Sequence, residues 1–223
     1  MRSRLPFVMP RAGRRSMRSL IVLCAAMALQ AQPVITYSKY FKGSKPETVI
    51  IVLPRSGEAT YKEAVDDDQP LKFQLTPAET SEIFDLANKL GDFNHPLESG
   101  LKVANMGVKT FHFEDGAVHN EVKFNYSLDT NAQALQDWFE RITETEQHYN
   151  DLYRSAHFDK LGVNDVLLQL QITYERKRLV APQQFLPLLD RVVNNESYLH
   201  MARERAAMLA EIIRNPPSPK ASQ

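Results

Sequence analysis

The chain is poor in cysteine and glycine. Its single cysteine, Cys24, excludes an intramolecular disulfide and any site built from several thiolates. Its eight glycines are scattered, so no glycine-rich loop offers a row of backbone N–H groups to a phosphate, and neither G-x-G-x-x-G nor G-x-x-x-x-G-K occurs. A G-x-S-x-G elbow, an H-E-x-x-H helix and an EF-hand loop are also absent. No apolar run approaches the ~20 residues of a membrane-crossing helix. Neither sign of charge is in excess, with 27 Lys and Arg against 27 Asp and Glu, and 43% of residues are apolar, which excludes a disordered or collagen-like chain.

What is present begins with a leader. All charge in the first 31 residues is positive, from Arg2, Arg4, Arg11, Arg14, Arg15 and Arg18. The apolar run Leu20 to Leu29 and the small residue Ala31 follow, the pattern of a secretory signal peptide over residues 1–31 with cleavage after Ala31. Met17 to Ala31 is by itself a complete short leader. Leu23 before Cys24 is the wrong residue for lipidation. Removing residues 1–31 takes away six arginines and no acid, leaving 21 of the 27 basic residues against all 27 acidic ones, a net charge of −6. Such a protein is repelled by nucleic-acid backbones and anionic membrane surfaces, and after cleavage it has no integral membrane span. The expected location is periplasmic or extracellular.

The remaining residues read as an α+β fold: a mostly antiparallel sheet with packed helices, then a C-terminal helical segment. Strands are expected over Val34 to Phe41, Thr48 to Leu53, Glu58 to Ala64 and, more briefly, Leu71 to Leu75. The second is expected to be central, because its apolar run leaves no wet face. Thr76-Pro77-Ala78-Glu79 is a capping box with proline at the first helical position, opening a helix that Gly91 stops, and residues 92–105 read as a loop. From Thr130 the apolar spacing becomes helical. One long helix is followed by others over about Lys160 to Arg176, from Pro182 with a perturbation at Pro187, and over Glu196 to Arg214. The expected division is an α+β domain at 32–147, a helical segment packed on it at 148–214, and a disordered tail at 215–223. The long helix is placed to serve both halves.

Between the loop and the helices lies a hairpin. If Asp115-Gly116 forms a two-residue type I′ turn, residues whose numbers sum to 231 face each other. Phe111, Phe113, Val118, Val122, Phe124 and Tyr126 then share one face, and Thr110, His112, Glu114, His119 and Glu121 the other. This register sets His112 opposite His119, close enough for two imidazoles to share a divalent metal with Glu121, or else Glu114, as third ligand. Asp66-Asp67-Asp68 offers hard oxygens to Ca²⁺, but three adjacent acids without glycine or regular ligand spacing are more often a solvated loop. His148, His157 and His200 lack the serine elbow that a triad requires. Tyr37, Tyr40 and Phe41 beside Lys39 and Lys42 read as a stacking platform or as strand aromatics facing the core. The small residues around Ala202, Ala206 and Ala210 permit close helix packing and leave room for an oligomer.

The segments Phe158-Asp159-Lys160-Leu161-Gly162-Val163-Asn164, Lys177 to Pro182 and Leu189 to Glu196 resemble exported proteins of acidobacterial type. Gly57 to Tyr61, Leu75 to Glu79 and Lys109 to Phe113 are similar to a bacterial secreted domain of unknown function. The resemblance implies export and brings no activity or ligand. Together these readings give the expectation of a non-enzymatic binding or assembly module with a protein or cell-surface partner and no catalytic or cofactor-binding residues. The alternative is an exported hydrolase, metal-assisted through His112, His119 and Glu121.

Overall fold

The computed structural model describes residues 32–216. The expected signal peptide at 1–31 and most of the expected tail, 217–223, lie outside the described residues. Six strands form one sheet: β1 (Val34–Tyr40), β2 (Thr48–Pro54), β3 (Glu58–Lys62), β4 (Leu71–Gln74), β5 (Val108–Asp115) and β6 (Val118–Phe124). Their order is β4-β3-β2-β1-β5-β6, and every neighbouring pair is antiparallel. Alternation along each strand sends Ile35, Tyr37, Ile51, Leu53, Ala59, Tyr61, Phe111 and Phe113 to one buried face. Thr36, Ser38, Ile50, Val52, Thr60, Thr110 and His112 lie on the opposite face and remain only half-buried. The second strand is interior, as its β-branched composition indicates. Its outer residues Ile50 and Val52 are nevertheless partly wet, because among the described residues no further layer covers that face.

Two helices cover the buried face. In α1 (Pro77–Lys89) the capping box is complete: Glu79 N–H donates to Thr76 Oγ1 at 3.2 Å, and Thr76 N–H donates to Glu79 Oε2 at 2.8 Å. The helix ends at Leu90, and Gly91 takes the positive φ of 60° that favours glycine just past a helix C-terminus. A single 3-10 turn, Gly91–Phe93, opens the expected loop and buries Phe93 against Phe111, ring centroids 5.1 Å apart. The 29-residue α2 (Thr130–Phe158) starts at Asp129, whose carboxylate accepts from Asn131 and Ala132 N–H. Its first half puts Ala132, Leu135, Trp138, Phe139 and Ile142 into the sheet core, and Phe139 stacks on Tyr37 at 4.7 Å and 7°.

The second half of α2 puts Leu152 and Ala156 into a separate core formed with α3 (Val163–Glu175), α4 (Leu186–Val193) and α5 (His200–Arg214). The expected boundary at 147/148 therefore falls inside one continuous helix. Pro187 does not perturb a helix but lies in the first turn of α4, where its missing N–H has no intrahelical acceptor to lose. A 3-10 turn over Pro182–Phe185 precedes it. The last helix begins four residues later than its periodicity indicates, because Asn195 Oδ1 accepts from both Ser197 N–H and Oγ–H and holds the chain in a turn. Ala202, Ala206 and Ala210 are spent on the internal core.

The two cores are tied by polar bonds from α2. Fully buried Thr145 donates its hydroxyl to Arg141 O and accepts Val180 N–H at 3.1 Å, fixing the segment that carries Val180 and Ala181 into the sheet core. Replacing Thr145 with valine keeps the shape but strands the Val180 N–H. The expected result is a loss of about 1–3 kcal/mol in urea unfolding, while Thr145→Ser loses less.

Candidate functional site

The hairpin closes through Gly116 and Ala117, not through Asp115 and Gly116. Gly116 has φ 58° and Ala117 has no positive φ, the pattern of a type II′ turn, in which glycine occupies the first central position. A type I′ turn would place Asp115 at positive φ; in the II′ turn Asp115 instead pairs with Val118. The register is thus two residues away from the expected one. Because the displacement is even, the apolar and polar faces survive it. Phe111, Phe113, Val122 and Phe124 are buried, whereas Val118 and Tyr126, at the hairpin ends, are exposed.

The corrected register changes the expected metal ligands. His112 faces Glu121, and His119 faces Glu114. Glu114 Oε1 lies 3.6 Å from His112 Nε2 and 3.9 Å from His119 Nδ1. Glu121 turns away to Lys123 Nζ at 2.9 Å. Donor atoms of His112, Glu114 and His119 all fall within 4.8 Å of one another, the one such group of three among the described residues. Asp66, Asp67 and Asp68 do not converge; Asp67 Oδ1 instead accepts Gln69 N–H at 2.9 Å within its own loop. Tyr37 and Tyr40 point to opposite faces, the first buried and the second 53% exposed, so they make no platform.

A larger concavity lies elsewhere, between α2 and the loop joining β1 to β2. Two cavities of about 790 and 330 Å³ share Ser44, Lys45, Pro46 and Gln147 as walls. The loop holds its own shape: Ser44 Oγ is 2.7 Å from both Phe41 O and Pro46 O, and Gly43 N–H donates to Glu47 Oε1. The outer cavity adds Glu63, Asn150, Asp151 and Arg154, and the inner one adds Tyr37, Lys39, Glu140, Thr143, Glu144 and Arg178. Counting Glu47, four cations and five carboxylates line the two parts, so the cleft is densely polar with little net charge. Glu144 and Arg178 are already committed to each other at 2.7 Å, with Asp137 3.0 Å from the guanidinium and Thr173 linking Glu144 to His148.

Tyr37 is 1% exposed, and its hydroxyl has no hydrogen-bond partner although it borders the inner cavity. Burial, reinforced by the negative charge of Glu140, holds that phenol protonated far above its ordinary range. The alternation of β1 marks Tyr37 as a core residue. Nothing in the sequence marks its hydroxyl as unpaired, because the opposing residues come from α2, a hundred positions away.

A second hidden group is Glu146 on α2, 1% exposed. Its Oε1 accepts from Gln184 Nε2 at 2.9 Å, while Oε2 has no partner. Desolvation raises its carboxyl to about 7, and the Gln184 bond offsets only part of that rise. Periodicity cannot reveal it, because a charged residue among apolar neighbours reads as a wet position.

The sign of the resulting pH dependence follows from linkage. The folded protein keeps a proton that the unfolded chain releases near the ordinary glutamate value of about 4.3. The stabilisation is therefore complete at low pH and is lost as pH rises towards 7. Glu146→Gln, a neutral isostere that still accepts from Gln184, is expected to remove a loss on the order of 2–3 kcal/mol between pH 4.5 and 7.5, measured by urea unfolding at each pH.

No family model, curated protein or solved structure matches the chain, so its function is read from this geometry.

Proposed function

We propose that the chain is an exported, non-enzymatic binding module whose recognition site is the cleft between α2 and the β1–β2 loop, and that its ligand is a hydroxyl-rich glycan of a cell surface. The observation that carries this reading is the buried hydroxyl of Tyr37, unpartnered among the described residues, on a side chain that lines a polar cavity sharing walls with a larger one. A buried hydroxyl without a partner costs free energy, which a ligand recovers by supplying one. Each of the two cavities falls in the size range of small-ligand sites, but the polar lining departs from the apolar walls usual there and so selects a polar ligand. Nearly balanced charge argues against a phosphate or polycation. Gln147, Asn150 and Asp151 offer both donors and acceptors to neighbouring hydroxyls. Export and an acidic mature charge agree with a role outside the cytoplasm.

The metal-assisted hydrolase is not adopted. Glu121, its expected third ligand, is paired with Lys123, and the one cavity that His119 and Glu121 border does not include His112, so no cleft encloses the two histidines together among the described residues.

The test is calorimetric titration of the full chain with a panel of neutral and acidic oligosaccharides. Binding of a neutral member is expected. The double variant Gln147→Ala/Asn150→Ala should weaken it about tenfold, the equivalent of one to two hydrogen bonds. Tyr37→Phe should weaken binding as well, yet leave the free protein as stable as before or more so, because it removes an unpaired group. Failure of the whole panel, or binding that ignores all three substitutions, overturns the cleft as the glycan site.

A further inference from the structure

We propose that His112, Glu114 and His119 form a binding site for a borderline divalent cation of the zinc type, separate from the cleft. Two donors bound to one tetrahedral ion at about 2.0–2.1 Å lie roughly 3.3–3.4 Å apart. The carboxylate oxygen of Glu114 already stands 3.6 Å from one imidazole nitrogen and 3.9 Å from the other. A few tenths of an ångström bring the carboxylate to that separation from each imidazole, and the two imidazole nitrogens, which lie within 4.8 Å of each other, have at most about 1.5 Å to close by side-chain rotation.

The backbone is well suited to hold such a set. β5 is paired on both sides, with Thr36 of β1 and Glu121 of β6 flanking His112, so the His112–Glu114 spacing is fixed by the pleat. His119 is brought to the same point by its direct pairing with Glu114 across a two-residue turn. His112 presents Nε2 and His119 presents Nδ1, so each imidazole retains its second nitrogen for a proton. Two imidazoles and one carboxylate suit zinc, copper or nickel, whereas calcium and magnesium require a shell of oxygens. Three protein ligands also leave one tetrahedral position open towards the solvent face, available to water or to a donor from another molecule.

Glu121 is the internal control. It faces His112 directly, as Glu114 faces His119, but its carboxylate is held at Lys123. The corrected register thus makes Glu114 a ligand and Glu121 a bystander.

The proposal does not rest on the glycan reading, and its test uses a different probe. The full chain, made without a polyhistidine tag and stripped with chelator, is titrated with zinc chloride alone by calorimetry, then with calcium and magnesium. One zinc per chain is expected, with far weaker or no binding of the hard cations. His112→Ala, His119→Ala and Glu114→Gln should each weaken zinc binding by about tenfold or more, and Glu121→Gln by less than about threefold. Glu114, His119 and Glu121 are exposed and His112 is half-buried on the solvent face, and unchanged circular dichroism and unfolding midpoints without metal would show that each variant folds. Absence of zinc binding to the wild-type chain overturns the site, as does unaltered affinity in the His112→Ala/His119→Ala double variant. A loss in Glu121→Gln equal to that in Glu114→Gln overturns the ligand assignment.

Discussion

The structure depends on covering one face of a sheet whose other face carries no second layer among the described residues. Six antiparallel strands direct large aromatic and branched side chains to a single side, and that side must be removed from water. The parallel stacking of Tyr37 on Phe139, with Phe111 tilted against both, is where α2 locks onto the sheet. Because α2 runs on beyond the sheet, the same helix supplies the surface on which the C-terminal helices assemble. Its length therefore links the two cores more directly than any connecting loop could.

That arrangement places polar groups where the two cores meet. Thr145 satisfies the backbone of the returning segment at Val180, and Arg178 reaches back to Glu144 and Asp137. Glu146 is buried at the same level, held by Gln184 through only one of its oxygens. Alongside, the β1–β2 loop overhangs α2 without packing tightly on it, and the gap is the polar cleft. Tyr37 belongs to both core and cleft, with its ring stacked in the core and its side chain among those lining the inner cavity. The hairpin cluster lies across the sheet on the uncovered face, so the two candidate sites do not compete for the same surface.

The hairpin shows how far sequence reasoning reaches. Alternation alone separates Phe111, Phe113, Val122 and Phe124 from His112, Glu114, His119 and Glu121, because side-chain direction has period two. It cannot distinguish registers that differ by an even number of residues. The choice rests on one turn, in which Gly116 takes the first central position instead of the second. That local difference exchanges Glu121 for Glu114 beside the histidines. The onset of α5 carries a similar lesson, since a side-chain bond from Asn195 overrides four residues of suitable periodicity.

By itself, the sequence determined the α+β class, the order of strands and helices, the capping box at Thr76 and the face on which each strand residue lies. These follow from interactions between residues close in the chain: periodicity, caps and the preferences of proline and glycine. Only the tertiary structure decided the hairpin register, the burial of Glu146 and the unpaired hydroxyl of Tyr37. Each of those depends on which distant residue fills the space opposite, and no local pattern encodes that partner.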